Sequence, residues 1–182
     1  MSNAVGQSEK LDVIFSAEEI AVRLEELAAE IAKLRLEPLL VIAVLKGSFV
    51  FAADLIRALN RAGLEPEVDF ITLSSYRKNR VSQGSVDILR DVEMDVEGRN
   101  VLLVDDVLDS GRTLAFAKDL LSARGAQSIK TCVLINKNTR RAVNVTADYK
   151  AFDCGEEFVV GYGMDVAHRF RELPYVGRLV EP

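Results

Sequence analysis

Two runs in this sequence, LLVIAVL at 39–45 and NVLLV at 100–104, are apolar at consecutive rather than alternate positions. A strand that is apolar on both faces must be covered on both faces, which is the condition of a parallel sheet packed between helices. Each run leads into a stretch with helical spacing. After the first comes a segment at about 49–62 that stops at Gly63. After the second comes one at about 112–124, with Phe116, Ala117, Leu120 and Leu121 facing inward and Gly125 ending it. Strand, turn and helix in repeated order predict an α/β fold with a mainly parallel central sheet flanked by helices.

The remaining segments fit that plan. Ser16 and Glu19 form a capping box, and Ile20, Leu24, Leu27, Ile31 and Leu34 follow at helical spacing, so a helix is predicted over 17–35. Residues 67–76 read as a strand, 77–85 as a long polar loop and 86–89 as the return strand of a hairpin. Further strands are predicted at 129–135, near 148–152 and near 158–163. No repeat or linker divides the 182 residues. The expected organisation is a flexible tail at 1–10 and one domain at 11–182.

Composition limits the function. The formal charge of −5 opposes the basic face of a nucleic-acid binder. It allows an anionic small substrate, because Mg²⁺ can bridge carboxylates to phosphates. No apolar run approaches the roughly 20 residues of a membrane span, and MSNAVGQSEK lacks the hydrophobic region of a signal peptide. A cytoplasmic protein without membrane or nucleic-acid partners is predicted. Cys132 and Cys154, without metal-ligand spacing, read as two reduced thiols.

Ligands of such sheets gather beyond the carboxyl ends of the strands. Four segments fall there: KGS after the first buried run, DDVLDSGRT after the second, NK at 136–137 and GMD at 163–165. In the second, amides around Gly111 at the start of a helix form an anion cradle, to which Ser110 and Thr113 add hydroxyls. Asp105 and Asp106 suit Mg²⁺ or the paired hydroxyls of a sugar. A phosphate on one side and a diol or metal on the other describe a phosphorylated ribose. Asp109 or Ser110 could serve as a plain helix cap, but capping leaves the acidic pair unexplained. The phosphate loop of nucleotide hydrolases is absent.

VLLVDDVLDSGRTL, 101–114, resembles the ribosyl-pyrophosphate signature of the type I phosphoribosyltransferases, most nearly their hypoxanthine-guanine members. The resemblance extends through LKGSF at 45–49, SSY at 74–76, LINK at 134–137 and FVVGYGMD...RFRELPYVG from Phe158 to Gly177. It implies the type I phosphoribosyltransferase fold, with a small hood built from the terminal segments. It also implies a reaction: transfer of the 5-phosphoribosyl group from phosphoribosyl pyrophosphate to a 6-oxopurine, with Mg²⁺ and release of pyrophosphate.

By the same resemblance, Asp109, Ser110, Gly111, Arg112 and Thr113 hold the 5′-phosphate, and Asp105 and Asp106 approach the ribose hydroxyls and a metal. Asp109 is the general base at purine N7. Lys46, Gly47 and Arg171 meet pyrophosphate, and the Leu45–Lys46 bond is one that can be cis in this family. Lys137 donates to the purine 6-oxo group, Phe158 stacks on the ring and Val159 contacts the base through its backbone. Asp165 lies at the purine side and binds a second Mg²⁺. Ser75 and Tyr76 head a closing loop. A homodimer or homotetramer is implied.

Plainer readings stand beside these: a solvated loop lysine for Lys137, core packing for Phe158, a turn acid for Asp165, an exposed helix arginine for Arg171 and a strand-end aromatic for Tyr76. His168 has no assigned role. Two features depart from the family pattern. The first acid of the pair is Asp105 where Glu is common, and the closing loop carries the basic Arg77, Lys78 and Arg80. The nearest rival is the pyrimidine-operon attenuator, an RNA-binding uracil phosphoribosyltransferase. It typically has an aromatic residue where Asp109 stands. A phospho-receiver domain is disfavoured by the hundred residues that precede VLLVDD.

Overall fold

The structure, a computed structural model, describes residues 10–75 and 86–180. The expected tail apart from Lys10, and the closing loop from Tyr76 onward with Arg77, Lys78 and Arg80, lie outside the described residues. The chain runs β1 (Lys10–Phe15), α1 (Ala17–Ala32), β2 (Leu39–Leu45), α2 (Phe49–Arg61), β3 (Glu67–Ser75) and β4 (Val86–Arg90). It continues through β5 (Asn100–Leu108), α3 (Arg112–Ala123), β6 (Ser128–Lys137), β7 (Tyr149–Cys154), β8 (Val159–Val160) and β9 (Val176–Val180).

Six strands form the main sheet in the order β4-β3-β2-β5-β6-β7, with β4 antiparallel to β3 and the other pairs parallel. The consecutive apolar positions of β2 and β5 are explained by cover on both faces. Val41, Ala43, Leu102 and Val104 pack with α1 and α2, whereas Leu40, Ile42, Val44, Val101 and Leu103 pack on the α3 side. A second, antiparallel sheet, β1-β9-β8, joins the two ends of the described chain and supplies the expected hood.

Local chemistry sets the helix ends. The capping box of α1 is formed in both directions: Glu19 N donates to Ser16 Oγ at 3.2 Å and Ser16 N to Glu19 Oε2 at 2.7 Å. The helix stops at Ala32 rather than 35, because Arg35 takes a φ of 51° and the chain must become extended before Pro38. In α3 the inward positions are Leu114, Ala117 and Leu121, while Phe116 is half-buried and belongs to neither core cluster, contrary to expectation.

Two strands run further than predicted. β5 parts from β2 at Val104 but stays paired with β6 through Asp105, Val107 and Leu108. β6 in turn is carried to Lys137 by its pairing with β7. Asp105 and Asp106 therefore stand on β5, and Lys137 stands on β6 rather than in a loop. β8 is shorter than the 158–163 expected, because Gly161 and Gly163 turn the chain at φ of 93° and 98°.

Candidate active site

A cleft of about 660 Å³ opens at the carboxyl ends of β2, β5 and β6, where the order of the sheet places the topological switch. It brings together Lys46, Gly47, Asp105, Asp106, Asp109, Ser110, Gly111, Arg112, Thr113, Lys137, Phe158, Val159 and Asp165. Arg171 does not border it. That side chain borders a second hollow beside α1 and α2. Ser75 ends β3, and Tyr76 lies outside the described residues.

The acidic pair is held in two different environments. Asp105 is buried, and its Oδ1 accepts from Asp106 N at 2.9 Å. Burial, and then the neighbouring Asp106 charge, push its carboxyl well above the ordinary carboxylate range. Asp106 is half-buried, and its Oδ1 accepts from Val107 N at 2.8 Å. A Cβ at Gly47 would overlap the Asp106 carboxylate, so any larger residue there would displace that side chain. The peptide bond between Leu45 and Lys46 is cis, as the resemblance allows.

The β5–α3 turn is shaped for an anion. Gly111 occupies the N-cap position at a φ of 82°, and among the described residues no Asp109 side-chain bond to the start of α3 is formed. A Cβ at Gly111 would also strike Val145. Ser110 Oγ accepts a long bond of 3.4 Å from Arg112 N. The first-turn amides of a helix have no intrahelical acceptors, and here they open on the cleft. Asp109 Oδ1 is buried and has no hydrogen-bond partner among the described residues. Such an acceptor is costly until something supplies a donor.

Lys137 departs from its plain reading. It is buried at the end of β6, and its Nζ donates to Glu157 O at 2.7 Å. Phe158 departs from its own in the opposite sense. The ring is 52% exposed at the cleft rather than packed in the core, and Val159 beside it is buried. Asp165 is paired: its Oδ1 meets Arg171 Nη2 at 2.8 Å, and its Oδ2 accepts from His168 N at 2.8 Å. Arg171 also donates from Nη1 to Gly163 O at 2.7 Å.

Sequence reasoning missed the residues that brace the anion-binding turn. Arg141 donates to Asp109 O and to Asn136 Oδ1, each at 2.9 Å, and Ala142 N donates to Ser110 O at 2.9 Å. Arg140 and Glu156, also at the cleft, approach each other to 3.8 Å. Nothing in NTRRAVNV signals these contacts, which depend on a segment more than 25 residues distant folding back over the turn.

The cleft therefore pairs an amide-rich anion site with two carboxylates, an unpartnered acceptor, a lysine and an exposed aromatic face. The phosphoribosyl transferase domain family matches residues 11–167. The chain belongs to that family. Hypoxanthine phosphoribosyltransferase of Buchnera aphidicola is 41% identical over 173 residues, covering 93% of this chain and 96% of the relative. Among solved structures, a hypoxanthine phosphoribosyltransferase variant of Trypanosoma cruzi in a ternary substrates complex aligns with a TM-score of 0.88 at 36% identity. That alignment covers 94% of this chain and 96% of the other. A hypoxanthine-guanine phosphoribosyltransferase of Bacillus anthracis aligns at 0.86 and 41%, covering 95% and 100%.

Proposed function

We propose that this protein transfers the 5-phosphoribosyl group of phosphoribosyl pyrophosphate to hypoxanthine or guanine, giving IMP or GMP and pyrophosphate. The observation that carries the reading is Asp109. Its buried carboxylate oxygen, without a partner among the described residues, stands three positions after Asp106 and begins the amide-rich turn that the 5′-phosphate would occupy. A purine N7–H would supply the missing donor, and a carboxylate accepting that proton offsets positive charge on the departing or arriving base. Lys137 Nζ, already aimed by Glu157 O, donates to the 6-oxo oxygen. Phe158 offers its exposed ring for stacking and Val159 its backbone.

The turn at Ser110, Gly111, Arg112 and Thr113 binds the 5′-phosphate, while Lys46 and Gly47 bind pyrophosphate through their backbone. Asp105 and Asp106 orient the ribose. The pair fits Mg²⁺, because Asp105 and Asp106 are adjacent carboxylates, one of them buried, and no cationic group among the described residues offsets the Asp105 charge. Among the described residues no three acidic, histidine or cysteine side chains converge as a ready-made cage. The remaining ligands would be substrate oxygens and water, as Mg²⁺ commonly takes them. Asp165, with Arg171 behind it, would hold a second ion, and such ions would supply positive charge opposite the leaving pyrophosphate.

No helix among the described residues is long and apolar enough to cross a membrane, and the reading places the enzyme in the cytoplasm as a homodimer or homotetramer. Similarity to hypoxanthine and hypoxanthine-guanine phosphoribosyltransferases favours a purine acceptor over the RNA-binding uracil alternative. The deciding experiment is a panel of hypoxanthine, guanine, xanthine, adenine and uracil with phosphoribosyl pyrophosphate and Mg²⁺. Turnover of 6-oxopurines is expected, and product from uracil alone would overturn the reading.

A further inference from the structure

Tyr162 is an unusual residue for its position. Its φ is 49°, a region that favours Gly or Asn, and it stands between two glycines at 93° and 98°. Both neighbours are needed as glycines, since a Cβ at Gly161 would overlap Tyr175 O and one at Gly163 would overlap Gly47 O. Backbone geometry alone would choose a third small residue. The large side chain must therefore serve something else. It is 5% exposed, its ring packs in the core cluster below α1 and α2, and its hydroxyl donates to Asp54 Oδ2 at 2.5 Å. The other oxygen of Asp54 is held by Arg57 Nη2 at 2.7 Å.

That bond closes a circuit through the pyrophosphate side of the cleft. Asp54 lies on α2, which starts directly after Lys46, Gly47 and Ser48. Tyr162 precedes Gly163, whose backbone lies against Gly47 O and exchanges bonds with Arg171: Gly163 N donates to Arg171 O at 3.0 Å, and Arg171 Nη1 donates to Gly163 O. Arg171 then grips Asp165. Of the purine-side residues, Lys137 stands at the end of β6 and makes none of these bonds.

We infer that Tyr162 and Asp54 are positioning residues whose hydrogen bond fixes the Asp165–Arg171 loop against the Lys46–Gly47 turn, setting the pyrophosphate contacts of the site and leaving the base-binding Lys137, on β6, outside its reach. The inference rests on the proposed phosphoribosyl transfer. Ring packing alone would be satisfied by phenylalanine, so the hydroxyl is the atom to test.

Calorimetric binding of phosphoribosyl pyrophosphate with Mg²⁺ reads the loop directly, and steady-state kinetics on the same samples read both substrates. Tyr162→Phe is expected to weaken phosphoribosyl pyrophosphate binding by about tenfold, within the range that small misplacements cost, while KM for hypoxanthine moves less than about twofold. Asp54→Ala should reproduce the defect and add nothing to it in the double variant. Asp54→Asn, which keeps an acceptor oxygen, should restore most of the affinity. A lowered Tm with unchanged affinity would reduce Tyr162 to packing, and equal losses for both substrates would reduce the bond to general stability. Either overturns the inference. If Tyr162→Phe does not fold, the contrast between Asp54→Asn and Asp54→Ala reads the same bond from α2. Binding is scored without a base present, so failure of the purine assignment in the wild-type assay is separate from failure here.

Discussion

Asp109 stands at the junction of two explanations, a helix cap and a general base, and the N-cap position of Gly111 removes the first. Asp109→Asn keeps the shape of the turn and removes the charge. Its turnover number is expected to fall by roughly 10² to 10⁴, with phosphoribosyl pyrophosphate affinity much less changed. Single-turnover kinetics and calorimetry on one preparation separate the two. Lys137→Met tests the base side, since it fills similar space without the donor. Loss of one hydrogen bond worth about 1–2 kcal/mol corresponds to a roughly tenfold rise in KM for hypoxanthine and guanine, and unaltered kinetics would return Lys137 to a structural role. Both residues were legible in the sequence as chemistry-bearing types near a strand end. The burial of Lys137 was not, because it depends on β7 extending the pairing of β6 and on Glu157 O arriving from the following loop.

At the scale of elements, the start of α3 and the start of α1 offer a contrast between function and stability. Gly111→Ala forces a Cβ into the left-handed region and against Val145. The conformational and overpacking costs together amount to about 2–4 kcal/mol, and the displaced turn should lose phosphoribosyl pyrophosphate affinity as well. Denaturant melts and calorimetry check the two effects. Ser16→Ala breaks the capping box of α1 far from the cleft. It should cost about 1 kcal/mol of stability, a shift of roughly 2–4 °C in Tm, with kinetics unchanged. The capping box was readable because Ser16 and Glu19 satisfy one another within a single turn. The true end of β5 was not readable, because Asp105 and Asp106 are kept in a strand by β6, a partner supplied by the fold.

For the molecule as a whole, chelation should abolish turnover and Mg²⁺ or Mn²⁺ should restore it. Full activity in excess EDTA would refute the metal's role. Acid stability follows from carboxylates on the periphery. The bond from Arg124 holds Asp91 below the ordinary range, and bonds from Lys150 and then Asn136 do the same for Asp153. For Asp148, burial pushes upward, but Lys130 and Thr131 prevail and its carboxyl is also lowered. Groups with depressed folded values contribute stability above the unfolded value and lose it as pH falls through the folded one. Tm should therefore drop on acidification below about pH 4, less steeply in Asp148→Asn, as calorimetric scans would register. The sequence by itself determined the parallel sheet, since residues apolar on both faces demand cover on both, and it determined the anion-binding turn, since glycine, hydroxyls and a helix start carry that chemistry locally. Only the tertiary structure decided how the site is braced. Arg141 on Asp109, Arg171 on Asp165 and Tyr162 on Asp54 are pairings across 32, 6 and 108 positions, and a polar side chain carries no mark of its partner until the chain's packing brings the two within bonding distance.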